Sequence, residues 1–224
     1  MTNYIDKVRG EIKIFKEVKK FFIIFYAIGI TGLIVPFTYP FFLALFPFVL
    51  FFNFIALAKF HPVKIDLKTL TVISGIFLLS FAIEVIGVNT GYIFGTYKYG
   101  NSLGFKLLNV PLIIGINWVL LIYTTSSVAE KINIKGFPGI IVASSIMVVY
   151  DIILEQVAPK IDMWYWCNNV VPLQNYIAWF VIALGFHFVF KTFKINSQNK
   201  LAIVILICQF IFFLSLFIFF KLIK

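Results

Sequence analysis

Charge is what this sequence has least of. Only 12% of its 224 residues are Asp, Glu, Lys or Arg, while 62% are hydrophobic. Soluble globular domains carry roughly 25% charged and 45–50% apolar residues. A shortfall of this size excludes a soluble enzyme and a disordered tail. Acid is scarcer than base, nine residues against nineteen. On so apolar a chain the net charge of +10 is not the footprint of a nucleic-acid-binding module, and no nucleic acid is expected as a partner. Cysteine occurs only as Cys167 and Cys208, which excludes a disulfide scaffold. Histidine occurs only as His61 and His187, far apart, and with no cysteine pair beside them they argue against a zinc site. No metal and no cofactor are expected. The first apolar run starts late and no small-x-small site follows it, so no cleavable signal is expected. The 29 Phe accompany many Ile, Lys and Asn, and read as compositional bias rather than as a ligand tunnel.

Long apolar runs are what the chain does have. Seven segments approach the roughly 20 residues that a membrane crossing takes: about 21–36, 41–58, 69–88, 107–129, 138–157, 175–190 and 201–220. The expected fold is an all-α integral membrane protein of about seven transmembrane helices. It forms one polytopic domain over 21–224, preceded by a basic segment at 1–20. In that segment Ile5, Val8, Ile12, Phe15 and Val18 recur at helical spacing among lysines, which suits either a helix lying on the membrane surface or a solvated tail. The break between the first two spans holds only Pro36-Phe37-Thr38-Tyr39-Pro40. Two prolines in five residues favour a tight turn over one long broken helix.

The basic residues set the orientation. Arg9 and five lysines precede the first span. Lys59, Lys64 and Lys68 follow the second, Lys131 and Lys135 the fourth, and Lys191, Lys194 and Lys200 the sixth. Only Lys98, Lys106, Lys160, Lys221 and Lys224 fall on the other side. The positive-inside rule then puts the N-terminus in the cytoplasm and the C-terminus outside. The expected location is the cell's inner, cytoplasmic membrane, crossed several times.

Three carboxyls lie inside these spans: Glu84, Asp151 and Glu155. Each costs roughly 2.5–3.5 kcal/mol on insertion scales, so each needs a reason. At 1.5 Å per residue all three sit about 3–9 Å below the outer boundary, although they come from two separate spans. Asp151 and Glu155 share a helix face at i, i+4. Two such carboxylates resist ionising together, so one is expected to hold a proton near neutral pH. A proton donor beside a carboxylate acceptor is the basic equipment of acid–base catalysis. The plainer alternative is three capped carboxyls bonded to loop backbone.

The two loops above that level are the least lipid-like parts of the chain. The first runs from Glu84 through Tyr92, Tyr97 and Tyr99 to Gly100, and its glycines mark a packed, turning loop. The second holds Trp164, Trp166 and Cys167 and leads into Asn175 and Trp179, which share a face. Aromatics at this depth also suit an interfacial belt. A belt does not explain why the cytoplasmic loops have no Trp or Tyr. Asn117 and Trp118 enter the same level from the fourth span, where Asn117 also suits helix–helix bonding. His187 is deep and far from the carboxyls, and reads as structural.

These loops also carry a family pattern. It comprises Glu84-x-x-Gly-x-x-Thr-Gly-x-x-Phe-Gly-x-Tyr-x-Tyr99, Leu103-Gly104, Val110-Pro111-Leu112, Asp151-x-x-Leu-Glu-x-Val-Ala-Pro159, Trp164-x-Trp166 and Pro172-Leu-Gln-Asn-Tyr176-x-x-Trp179. Over about 80–180 the chain resembles the membrane carotenoid-biosynthesis hydratases, the family of γ-carotene 1′-hydratase and bisanhydrobacterioruberin hydratase. The resemblance implies addition of water across the terminal 1,2 double bond of an acyclic carotenoid end group, giving a tertiary alcohol without a redox cofactor. It implies a carotenoid held in the bilayer, and water, as reactants, with downstream carotenoid-modifying enzymes as partners. Asp151 or Glu84 would be the acid and Glu155 its partner. Tyr92, Tyr97, Asn117, Trp118, Trp166 and Trp179 would line the pocket, and Asn175 would orient water. The alternatives are a carotenoid end-group cyclase, a proton-coupled transporter and a carotenoid-binding protein without activity. A retinal protein is disfavoured because Leu201 to Phe220 has no lysine for a Schiff base.

Overall fold

The structure is a computed structural model and describes residues 2–222. Its helices are α1 Thr2–Ile34, α2 Tyr39–Ala44, α3 Phe46–Lys59, α4 Leu67–Thr90, α5 Ile113–Lys131, α6 Gly136–Glu155, α7 Leu173–Thr192 and α8 Lys200–Leu222. Four short strands sit in the loops: β1 Tyr97–Tyr99, β2 Lys106–Leu107, β3 Val110–Pro111 and β4 Trp164–Trp166. They form two antiparallel ladders, β1 with β4 and β2 with β3. Among the described residues five helices, α4 to α8, are long and apolar enough to cross a membrane. The architecture is that of an all-α membrane protein with its strands confined to loops.

Helix α5 lies at the centre, against α3, α4, α6, α7 and α8. Its most apolar stretch is 72% buried, against 28% for α4. The reason is composition: α5 is the least apolar of the five and carries Thr124, Thr125 and Ser127. Facing lipid, polar groups have no water to bond, so such a helix goes inside. Thr125 Oγ1 donates to Leu121 O at 2.6 Å and Ser127 Oγ to Tyr123 O at 2.9 Å. Thr125 also bonds His187 Nε2 at 2.9 Å, and Ser144 bonds His187 Nδ1 at 3.3 Å. The histidine thereby ties α5, α6 and α7 together, the structural role its position indicated.

The third, fifth, sixth and seventh expected spans coincide with α4, α6, α7 and α8 to within about two residues at each end. The other three differ. Helix α1 runs unbroken for 33 residues, so the expected boundary at residue 20 falls inside a helix. At 1.5 Å per residue it is about 50 Å long, some 20 Å more than the hydrocarbon core. Phe15 and Val18 pack against the core, while the side chains of Ile5 and Val8 lie outside the described residues. The expected second span is not one helix. It breaks at Leu45 into α2 and a 14-residue α3, because Pro47 enters the first turn of α3 and cannot continue the ladder before it. The expected fourth span begins at Ile113, six residues late. Leu108 (φ 52°) and Asn109 (φ 69°) are left-handed and make the turn of the β2–β3 hairpin instead.

The break at 35–38 is a turn, as its prolines indicated. Thr38 Oγ1 donates to Gly32 O at 2.8 Å, and Tyr39 donates its hydroxyl to the carbonyl of Lys160. The α1–α2 turn therefore sits at the same end of the bundle as the 91–112 and 156–172 loops. At the opposite end Asn199 Nδ2 donates to Leu57 O at 3.2 Å, and His61 Nδ1 meets the Tyr123 hydroxyl at 2.7 Å. That end carries Lys59, Lys64, Lys68, Lys131, Lys135, Lys191, Lys194 and Lys200.

Candidate active site

The β1–β4 ladder forms a lid over one end of the bundle. Its register pairs Tyr97 with Trp166 and Tyr99 with Trp164. Side chains alternate across a strand, so Tyr97, Tyr99, Trp164 and Trp166 all turn inward and are buried, while Lys98 is exposed. Two three-residue strands thus lower four aromatic rings onto the helix ends.

Each strand holds one carboxyl. Glu84, in the last two turns of α4, accepts from the Tyr97 hydroxyl (2.6 Å) and the Tyr99 hydroxyl (2.8 Å) at Oε2, and from Trp118 Nε1 (2.9 Å) at Oε1. Glu155, the last residue of α6, accepts from Trp166 Nε1 (2.7 Å) and Trp164 Nε1 (3.0 Å) at Oε2. Its Oε1 has a long bond of 3.4 Å from Asn175 Nδ2. Burial, and then the Glu84 carboxyl, push both tyrosine hydroxyls well above their ordinary range, so both keep their protons.

Gly87 sits one turn above Glu84. A Cβ there would lie 2.5 Å from the ring of Phe94, which therefore folds directly onto α4 and brings the following strand down over the carboxyl. Asp162 is the knot of the lid. Its backbone is left-handed (φ 53°). Its carbonyl accepts from Ser102 N and Oγ, and its carboxylate from Asn101 N (3.0 Å) and the Tyr165 hydroxyl (2.8 Å). That bond raises the Tyr165 hydroxyl to about 12. Gly100 lies against the knot, where a Cβ would come 2.2 Å from Asp162 O. Gly100→Ala is expected to cost on the order of 1–3 kcal/mol as overpacking, read as a lower melting temperature in detergent. An unchanged melting temperature would mean the lid is not held there.

Between carboxyls and lid is a chamber of about 20 Å³. That is enough for a single water, which needs roughly 10–15 Å³. Glu84, Glu155, Asn117, Asn175 and the rings of Tyr97, Tyr99, Trp118, Trp164, Trp166 and Trp179 line it. Trp118 and Trp179 stack with centroids 4.6 Å apart, and Tyr97 and Trp166 lie at 4.9 Å. Among the described residues no group of three or more His, Cys, Asp or Glu could hold a metal ion.

Residues 43–224 match the family of carotenoid biosynthesis proteins. The chain belongs to that family. No curated protein and no solved structure matches it.

For a carotenoid biosynthesis protein the placement of the expected site residues is informative. Glu84, Glu155, Tyr97, Asn117, Trp118, Trp166, Asn175 and Trp179 meet in the one chamber. Tyr92 does not: it is 85% exposed, because Gly91 caps α4 in the left-handed conformation and turns the chain outward there. Asp151 is fully buried yet does not line the chamber. It stands behind Asn175, whose Nδ2 donates to its Oδ2 at 2.9 Å, and its Oδ1 has no partner. Tyr99 and Trp164 were not among the residues expected to line the pocket. Their signal was present as Tyr-x-Tyr and Trp-x-Trp, the period of a strand whose alternate residues share a face.

Proposed function

We propose that this protein hydrates the terminal 1,2 double bond of an acyclic carotenoid end group. The observation that carries this reading is a pair of carboxyls from different helices facing one aromatic chamber with room for a water. The donor inventory separates their roles. Every partner of Glu155 is an N–H, which can only donate, so Glu155 is held as an acceptor. Two partners of Glu84 are hydroxyls, which donate or accept after a simple rotation. Glu84 can therefore hold a proton at Oε2 and lose it without breaking its clamp.

In the proposed reaction the aromatic walls move apart to admit the end group beside the water, since the chamber as it stands holds a water alone. Glu84 gives that proton to C2 of the double bond, and the π electrons form the new C–H bond. A tertiary cation develops at C1. The faces of Trp118, Trp179, Tyr97 and Trp166 stabilise it by cation–π attraction, worth about 2 kcal/mol or more where water is excluded. The water oxygen bonds to C1, and Glu155 Oε1, whose only bond is the long one to Asn175, takes the proton released. A proton returns to Glu84 through the water or the tyrosine hydroxyls. Asp151 acts on Asn175, which it holds in place. No redox step is involved.

Seven crossings follow if the apolar half of α1 and the α2–α3 pair each count as one. The lysines opposite the lid support a cytoplasmic N-terminus and a lid at the outer face of the cytoplasmic membrane. The tertiary alcohol would pass to downstream enzymes that glycosylate or desaturate it. The test is expression in a host that makes an acyclic carotene, followed by mass analysis of the pigment. A gain of one water is expected. An isomer of unchanged mass would establish a cyclase instead, and unaltered pigment would leave a binding protein.

A further inference from the structure

The chamber borders a larger space. It shares Ile114, Asn117 and Trp164 with a second cavity of about 230 Å³. That cavity in turn shares Ile28 and Phe42 with an open hollow of about 430 Å³ along α1 and α2. The three therefore adjoin one another in order, from the chamber to the flank of the bundle. The walls of the middle cavity are apolar, with Phe25 and Leu33 from α1, Phe46 and Leu50 from α3, and Phe212 and Phe213 from α8.

One stretch of its wall is polar and disfavours hydrocarbon. There Tyr26 and Gln209 line the wall, and Asn53 Nδ2 donates to the Tyr26 hydroxyl at 2.6 Å. The side-chain oxygens of Asn53 and Gln209 are buried without a partner. A hydrocarbon pressed against them would block any water from satisfying them, which is costly. The apolar path therefore leads outward, between α1 and α2.

That exit is built for close approach. A Cβ at Gly32 would lie 2.4 Å from the Phe42 ring, so the ring rests on the backbone of α1. Further in, Gly29 lines the middle cavity, where a Cβ would lie 3.2 Å from the Phe212 ring of α8, so a larger side chain there would fill that cavity. Helix α2, which carries Phe42, has six residues and none of them is buried.

We propose that this line of cavities is a lateral entrance for a linear isoprenoid hydrocarbon. The chain slides in from the lipid between α1 and α2 with its reacting end leading, and Phe42 is the gate. The proposal rests on the hydratase reading only for the chemistry at the leading end. A larger groove competes with it: about 780 Å³ between α4 and α7, with open space over Gly75 and Gly185. It shares no lining residue with the chamber. A reacting end has to reach Glu84 and Glu155, so continuity outweighs size.

The experiment compares Gly29→Leu with Gly75→Leu in the full chain, purified from a host that makes an acyclic carotene. Pigment bound per protein is read by absorbance, and hydrated product by mass. Gly29→Leu is expected to retain about tenfold less pigment, a loss of 1.4 kcal/mol, and Gly75→Leu to match the parent. Melting temperatures check folding, and Phe42→Trp replaces Gly29→Leu if that variant does not fold. Phe42→Trp, at the α1–α2 gap itself, is expected to slow pigment uptake. Parent-level pigment in Gly29→Leu, or loss confined to Gly75→Leu, overturns the entrance. If the parent binds pigment without hydrating it and Gly29→Leu empties it, the entrance stands and the hydratase reading falls.

Discussion

Glu84→Gln is expected to fold and insert like the parent and to lose hydration by about 10²- to 10⁴-fold, the range a positioned acid contributes. The substitution is isosteric: the amide oxygen stays opposite Trp118 Nε1, and its NH₂ donates to the tyrosine hydroxyls, which turn to accept. What disappears is the proton delivered to C2. Pigment mass analysis, with membrane-fraction yield as the folding check, measures both. Asp151→Asn serves as the comparison, because Asp151 stands behind Asn175 and outside the chamber. It should lose far less. Product from Glu84→Gln within a few-fold of the parent, or a greater loss in Asp151→Asn, would move the acid to Asp151.

Glu155→Gln should fail differently, in stability as well as turnover. Trp164 and Trp166 both donate to Oε2, so the amide oxygen has to stay there. The new NH₂ group then faces Asn175 Nδ2, donor against donor. Turning the Asn175 amide over would set its oxygen against Asp151 Oδ2 in place of the present bond. One buried polar group is left without a partner either way, at a cost of about 1–3 kcal/mol. A fall in melting temperature together with loss of product is the expected result. A variant as stable as the parent would show that the Asp151–Asn175–Glu155 chain is looser than its bonds indicate.

The features legible in the sequence are those that depend on local composition. Hydropathy located α4, α6, α7 and α8, because each is a continuous apolar run. Counting residues back from the loops puts Glu84, Asp151 and Glu155 at one level; Glu84 and Glu155 do face one chamber, while Asp151 stands behind Asn175. The second span reads as one helix in the sequence because a hydropathy sum does not register that Pro47 interrupts the helix ladder. The fourth began too early because Leu107, Val110 and Leu112 look like the start of an apolar helix, while the left-handed backbone of Leu108 and Asn109 makes a hairpin. The lid was out of reach for another reason. Tyr97–Tyr99 and Trp164–Trp166 are three residues each and far apart in the chain, and nothing local states that they pair. Without that pairing Tyr99 and Trp164 lack an assignment, and Tyr92, in the same loop, looks as eligible as Tyr97.

The chain has four tryptophans, and all four line the chamber. The protein's tryptophan emission therefore comes from one place, with two indoles stacked at 4.6 Å and two in the lid. A polyene is an efficient short-range acceptor of energy from excited indole. Arrival of a carotenoid end in the chamber should dim that emission before any bond changes, and an opened lid should shift its colour as water reaches the rings. The protein thus carries an intrinsic optical reporter at the point where its chemistry is proposed, and binding and catalysis can be timed separately without attaching a label.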